Sequence, residues 1–89
     1  NHPCCFYQLN ADFILVGQHG GELAYIDIKN MQIRELGRVG KSVVKIESIC
    51  KLNQRNHIAI ATQGEGIYIA KLDISTHTNM IDFEVVKNS

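Results

Sequence analysis

Two stretches of this chain repeat one phrase: Ile14-Leu15-Val16-Gly17-Gln18-His19-Gly20-Gly21-Glu22-Leu23-Ala24-Tyr25-Ile26-Asp27-Ile28, and Ile58-Ala59-Ile60-Ala61-Thr62-Gln63-Gly64-Glu65-Gly66-Ile67-Tyr68-Ile69-Ala70-Lys71-Leu72. Each is an apolar run, a glycine-marked turn and a second run with strand character. Gly20 and Gly64 are 44 residues apart, and the same offset pairs Ile14 with Ile58, Val16 with Ile60, Leu23 with Ile67, Tyr25 with Ile69 and Ile28 with Leu72. A short apolar run bounded by turn residues reads as a strand covered on both faces. Gly20-Gly21 and Gly64 to Gly66 supply the positive-φ positions that tight hairpins need.

Working outward, Cys4 to Leu9 forms a strand closed by the turn Asn10-Ala11-Asp12, and Phe13 to Gly17 and Glu22 to Ile28 form the next two. Met31 to Leu36 is polar and charged, as an exposed edge strand tends to be, and 37–42 reads as a loop. Val43 to Leu52 fits either a helix or an alternating strand with Val44, Ile46, Ser48, Cys50 and Leu52 on one face. The repeat decides for a strand, because Leu52-Asn53, a polar hairpin and His57 to Ile60 parallel Leu9-Asn10, a polar hairpin and Phe13 to Val16. Ser75 to Asn79 is a polar turn before a last strand, Met80 to Val86. The expected fold is all-β, with two units at 1–42 and 43–89, each a four-stranded antiparallel sheet.

A repeat of roughly 40 to 45 residues holding four short strands has the period of a β-propeller blade. The two units resemble divergent WD-repeat blades: Gly17, the turn Gly20-Gly21, then Leu23, Tyr25 and Ile26-Asp27 stand where the WD pattern has its small residue, its turn and its closing Trp-Asp. Ala61-Thr62, the turn Gly64 to Gly66 and Ala70-Lys71 stand there in the second unit. The chain has no tryptophan and Lys71 replaces the acidic residue, so the resemblance rests on period, strand count and turn placement. Ala61 to Ile69 is also similar to blades of citron-homology domains. The resemblance implies two blades, incomplete without others, since rings take about four to eight. The start at Asn1 rather than at a methionine favours a piece of a longer propeller over a homo-oligomeric ring such as a six-bladed trimer.

Charge and composition narrow the function. Nine basic and nine acidic residues give a formal net charge of zero, which argues against nucleic-acid or membrane-surface binding by charge. The longest apolar run, Phe13 to Val16, is far short of the ~20 residues that span a bilayer. Three cysteines, an odd number, and no Asn-x-Ser/Thr site point to a reducing compartment, the cytoplasm.

Candidate chemistry is sparse. Gly37-Arg38-Val39-Gly40-Lys41-Ser42 has the flavour of a phosphate-binding loop but carries Glu35 where the motif needs its first glycine. His2, Cys4, Cys5 and Cys50 match no zinc spacing, so no metal and no cofactor is expected. No nucleophile sits on a sharp turn and no paired carboxylates stand out, so an enzyme is not expected. The six aromatics, Phe6, Tyr7, Phe13, Tyr25, Tyr68 and Phe83, all fall on strands and are read as core and inter-blade packing, not as sugar-stacking platforms.

Charge has a direction in one place. Seven basic residues between Lys29 and Arg55 face only Glu35 and Glu47, a local excess of five positive charges. The reading is therefore a non-enzymatic protein–protein interaction scaffold. Arg38 and Lys41 in the connecting loop, His19 and Gln63 in the hairpin turns, and Arg34 and Lys45 nearby are expected to meet an acidic or phosphorylated partner. Gly20, Gly21, Gly64 and Gly66 are structural turns. The alternative is a small homo-oligomeric propeller that binds a carbohydrate or other small ligand between blades.

Overall fold

The computed structural model describes residues 2–75, 77–78 and 80–89. Its described residues form eight strands and no helix: β1 (Pro3–Gln8), β2 (Phe13–Gln18), β3 (Glu22–Asp27), β4 (Gln32–Arg38), β5 (Ile46–Lys51), β6 (His57–Thr62), β7 (Ile67–Ser75) and β8 (Met80–Asn88). They make two four-stranded antiparallel sheets, ordered β1-β2-β3-β4 and β5-β6-β7-β8. The all-β class and the pair of sheets follow the sequence reading. The Ser75 to Asn79 turn includes Thr76 and Asn79, which lie outside the described residues.

The 44-residue repeat recurs in the hydrogen bonding. Gly17 pairs with Leu23 and Ala61 with Ile67. The Ile28 N–H donates to Asp12 O at 2.9 Å, and 44 residues on the Leu72 N–H donates to Asn56 O at 2.7 Å. Each sheet has one irregularity between its first two strands, at Pro3/Cys5 and Ile46/Ser48, and one between its last two, at Leu23/Ala24 and Ile69/Ala70.

These bulges correct the strict alternation expected over Val43 to Leu52. The strand begins only at Ile46, and the irregularity after it turns Ile46 and Ile49 inward together while Ser48 and Cys50 are exposed. An extra residue in one strand shifts the side-chain phase by one.

The sheets stack face to face, β1 against β5 and β4 against β8. Phe13, Leu15, Leu23 and Tyr25 from the first sheet join Ile46, Ile49, Ile58, Ile60, Tyr68, Ala70, Leu72 and Ile81 from the second in one core. The Phe13 and Tyr25 rings meet edge to face at 5.7 Å. Gly17 allows a close approach: a Cβ there would lie 2.5 Å from Ile46 Cγ2 and 2.7 Å from Cys5 Sγ. Phe6 departs from the expectation for the aromatics. It is 62% exposed, because its neighbour Cys5 points into the core and successive strand residues face opposite ways.

The stacking has a direction. The first sheet buries Leu15, Leu23 and Tyr25 against the second; their counterparts 44 residues on, Ala59, Ile67 and Ile69, lie on the second sheet's far face. The second sheet buries Ile58, Ile60 and Ala70; their counterparts Ile14, Val16 and Ile26 lie on the first sheet's far face. One kind of face thus meets the other kind, and one of each is left over.

Candidate functional site

Antiparallel strands bring alternate connections to the same end of a sheet. The β2–β3 turn, the β4–β5 loop and the β6–β7 turn therefore share one end. His19 N–H donates to His2 O at 2.8 Å and Gln63 N–H to Lys45 O at 2.9 Å, so the two turns are held at equivalent points of their sheets. Val39 N–H donates to Gly21 O at 2.9 Å, which ties the connecting loop to the first turn.

The glycines have unequal roles. Of the Gly20-Gly21 pair only Gly21 has positive φ, 90°, so the expectation for Gly20 is corrected. One left-handed residue is enough to reverse this turn, whose Gly21 N–H donates to Gln18 O at 3.1 Å. In the second turn both Gly64 and Gly66 are left-handed, with φ of 114° and 74°. Thr62 fixes that turn: its hydroxyl donates to Gly66 O at 2.8 Å and accepts the Glu65 N–H at 3.1 Å. The residue equivalent to Thr62 in the first sheet is Gln18, which is buried and donates through Nε2 to Glu35 Oε1 at 2.9 Å.

Five of the six expected contact residues meet at this end. His19, Gln63 and Lys41 are exposed and Lys45 is half-buried. Arg38 donates through Nε to Gly20 O at 3.3 Å and places Nη2 3.7 Å from Glu22 Oε2. That ion pair offsets part of the Arg38 charge, and with the guanidinium 40% exposed it contributes about 0–1 kcal/mol. Arg34 stands apart. It lies within β4 opposite Tyr25, with Nη2 donating to Gln32 Oε1 at 2.9 Å.

The basic stretch of the sequence does not fold into one patch. Arg38, Lys41 and Lys45 lie at the glycine-turn end, whereas Lys29 and Arg55 lie in turns at the opposite end. Charges consecutive in an antiparallel sheet are dealt to alternate ends at every turn.

A shallow groove beside Lys41 is lined also by Val39, Gly40, Glu65, Tyr68, Val85 and Asn88. Tyr68 OH donates to Glu65 Oε1 at 3.0 Å, and Asn88 Nδ2 donates to the carbonyls of Glu65 at 3.0 Å and Ile67 at 3.2 Å. Burial, then the Glu65 hydrogen bond and charge, push the Tyr68 phenol above its ordinary value. From the sequence Glu65 reads as a solvated turn residue beside Gln63 and Tyr68 as a packing aromatic, and Asn88 is not marked at all. Glu65 and Tyr68 sit within the repeat, three residues apart, but nothing local marks Asn88, which is brought in by strand pairing.

The cysteines and histidines do not gather. Cys5 Sγ donates to Ile46 O at 3.8 Å, and burial pushes its thiol above the ordinary range; Cys50 is exposed. Among the described residues no group of three or more His, Cys, Asp or Glu side chains is placed to hold a metal ion, and no helix is long and apolar enough to cross a membrane. The groove itself sets one cation, Lys41, beside one carboxylate, Glu65, while Arg38, Lys45, His19 and Gln63 stand at the same end outside its lining. No protein-family model, curated protein or solved structure matches the chain.

Proposed function

We propose that the two sheets are adjacent blades of a larger WD-like β-propeller, and that this propeller is a non-enzymatic protein–protein interaction scaffold of the cytoplasm. The observation that carries the reading is the direction of stacking. Two sheets that bury unlike faces against each other, with first strand over first and fourth over fourth, repeat by rotation, and rotation is how blades succeed one another around a ring. A closed sandwich of two sheets has no need of a 44-residue repeat that leaves one face of each kind uncovered.

The binding end in this reading is the glycine-turn end, where Arg38, Lys41 and Lys45 are joined by His19 and Gln63. Its partner is acidic or phosphorylated, since two of these cations sit on exposed backbone turns or loops where a carboxylate or phosphate can reach them. Rim charges act mostly on association rate and salt dependence. The test is binding of acidic and phosphoserine-containing peptides to the chain and to its Arg38→Glu/Lys41→Glu variant at two salt concentrations. Loss of binding, together with loss of its salt dependence, is expected; equal binding by both proteins overturns the reading.

A further inference from the structure

We infer that the two uncovered faces are complementary to each other, and that the far face of the second sheet is the docking surface for the far face of the first sheet of a second copy of this chain. The inference deepens the propeller reading by naming what covers those faces, and it does not depend on what the glycine-turn end binds.

The argument is continuity with the interface already present. Where the first sheet buries Leu15, Gly17, Leu23 and Tyr25, the second sheet's far face offers Ala59, Ala61, Ile67 and Ile69. Where the second sheet buries Ile58, Ile60, Tyr68 and Ala70, the first sheet's far face offers Ile14, Val16, Ala24 and Ile26. Every one of these eight substitutes is apolar; Val16 and Ala24 are already buried, at 6% and 2% exposure, so the open apolar surface of the first face lies around them.

Sheets with one face in water alternate apolar with polar residues; β2, β3, β6 and the start of β7 do not, whereas Lys71 to Ile74 and Ile81 to Val85 do, so the apolar part of the second far face is confined to its β6 and early β7 side. Phe6 and Ile33 add large apolar surface to the first far face at 62% and 72% exposure, and Ile67 adds to the second at 45%. In β1 the offset is 43, which makes Phe6 the counterpart of Ile49, a core residue of the existing interface. An apolar centre of this kind, with Lys71 and Glu84 paired across strands at the margin of the second face, has the anatomy of an interface core and rim.

The joint is heterologous: a face of one kind on one copy meets a face of the other kind on the next. Such joints close into rings when the rotation divides a full turn, and rings of about four to eight sheets correspond to two to four copies of a two-sheet chain.

The experiment is sedimentation equilibrium on three proteins: the chain itself, Phe6→Glu/Ile33→Glu, which blocks the first face, and Ile67→Glu/Cys50→Glu, which blocks the second. The unaltered chain is expected to associate, each variant alone to be monomeric, and an equimolar mixture of the two variants to form a 1:1 dimer through the one joint still intact. A monomeric unaltered chain at about 100 μM, well above a micromolar Kd, overturns the inference. So does self-association of either variant alone, which would mean an isologous contact. All four replaced side chains are exposed, and circular dichroism checks that the strands persist; Ile33→Glu and Ile67→Glu singly give the same comparison should a double variant not fold. Peptide binding at the glycine-turn end is read separately, so failure here and failure of the scaffold role are distinguishable.

Discussion

The Tyr25 hydroxyl in β3 accepts the backbone N–H of Ile81 in β8 at 3.3 Å, a buried hydrogen bond that joins the two sheets across 56 residues of sequence. It satisfies a strand N–H in the core, where an unpaired donor is costly, and it fixes the outer strand of one sheet against the neighbouring sheet.

Replacing Tyr25 with Phe keeps the ring and its edge-to-face contact with Phe13 but removes the acceptor. The expected loss is about 1–3 kcal/mol of stability, the cost of leaving a buried N–H unpaired. A urea titration reads it as a lower midpoint at unchanged slope. An unchanged midpoint would show that the Ile81 N–H is satisfied elsewhere.

Gly17→Ala places a methyl group against Ile46 Cγ2 of the facing sheet and Cys5 Sγ of its own. Overpacking of this kind costs about 1–3 kcal/mol. Because the closest of these contacts is with Ile46, Gly17→Ala combined with Ile46→Ala is expected to cost less than the two separately, with a coupling of at least ~0.5 kcal/mol in a double-mutant cycle. Strict additivity would place the strain elsewhere.

Gly66→Ala meets two obstacles at once, a left-handed φ of 74° and the Ser89 carbonyl in the path of the new Cβ. Gly37→Ala meets only an unfavourable φ of 128°, with open space around it. Both are expected to destabilise, by more than ~1 kcal/mol at Gly66, and Gly66 by the larger amount. Equal thermal midpoints for the two variants would contradict the close approach of the C-terminal backbone to the second turn.

Asp27 is 2% exposed, yet its carboxyl is held below the ordinary aspartate value, chiefly by the Asn30 side-chain amide at 2.8 Å and then by backbone N–H groups of the turn. A depressed folded-state pKa means that the unfolded chain binds the proton first as pH falls. The contribution of Asp27 is therefore present above about pH 4, the unfolded value, and is lost as pH drops through the lower folded value. Asp27→Asn is expected to flatten that part of the stability profile below pH 4. An identical acid limb in the variant would remove Asp27 from the account.

Much of the sheet architecture was legible because strand signals are local. Phe13 to Val16, rich in β-branched and aromatic residues and bounded by Asn10-Asp12 and Gly20-Gly21, marks a strand without reference to anything distant. The edge character of β4 was legible from Arg34 and Glu35. The candidate site was less so. His19 and Gln63 were found because they occupy equivalent points of a repeat, but Arg34 was grouped with Arg38 and Lys41 on sequence proximity alone, and a strand four residues long already separates two groups by about 13 Å.

By itself the sequence determined the number of strands, their pairing into two units and the 44-residue equivalence between them, since periodicity and turn chemistry are short-range properties of the chain. Only the tertiary structure decided which way each apolar face points. Extra residues at Glu47 in β5 and Leu36 in β4 reset the side-chain phase of those two strands, and a one-residue change of phase exchanges the two faces of a strand. The phase in β5 put Ile46 and Ile49 in the core together, and the packing of β2 and β3 on β6 and β7, which pair without a bulge, put Leu15 and Tyr25 against Ile58 and Ala70, left Phe6 and Ile67 exposed, and gave the stacking its direction.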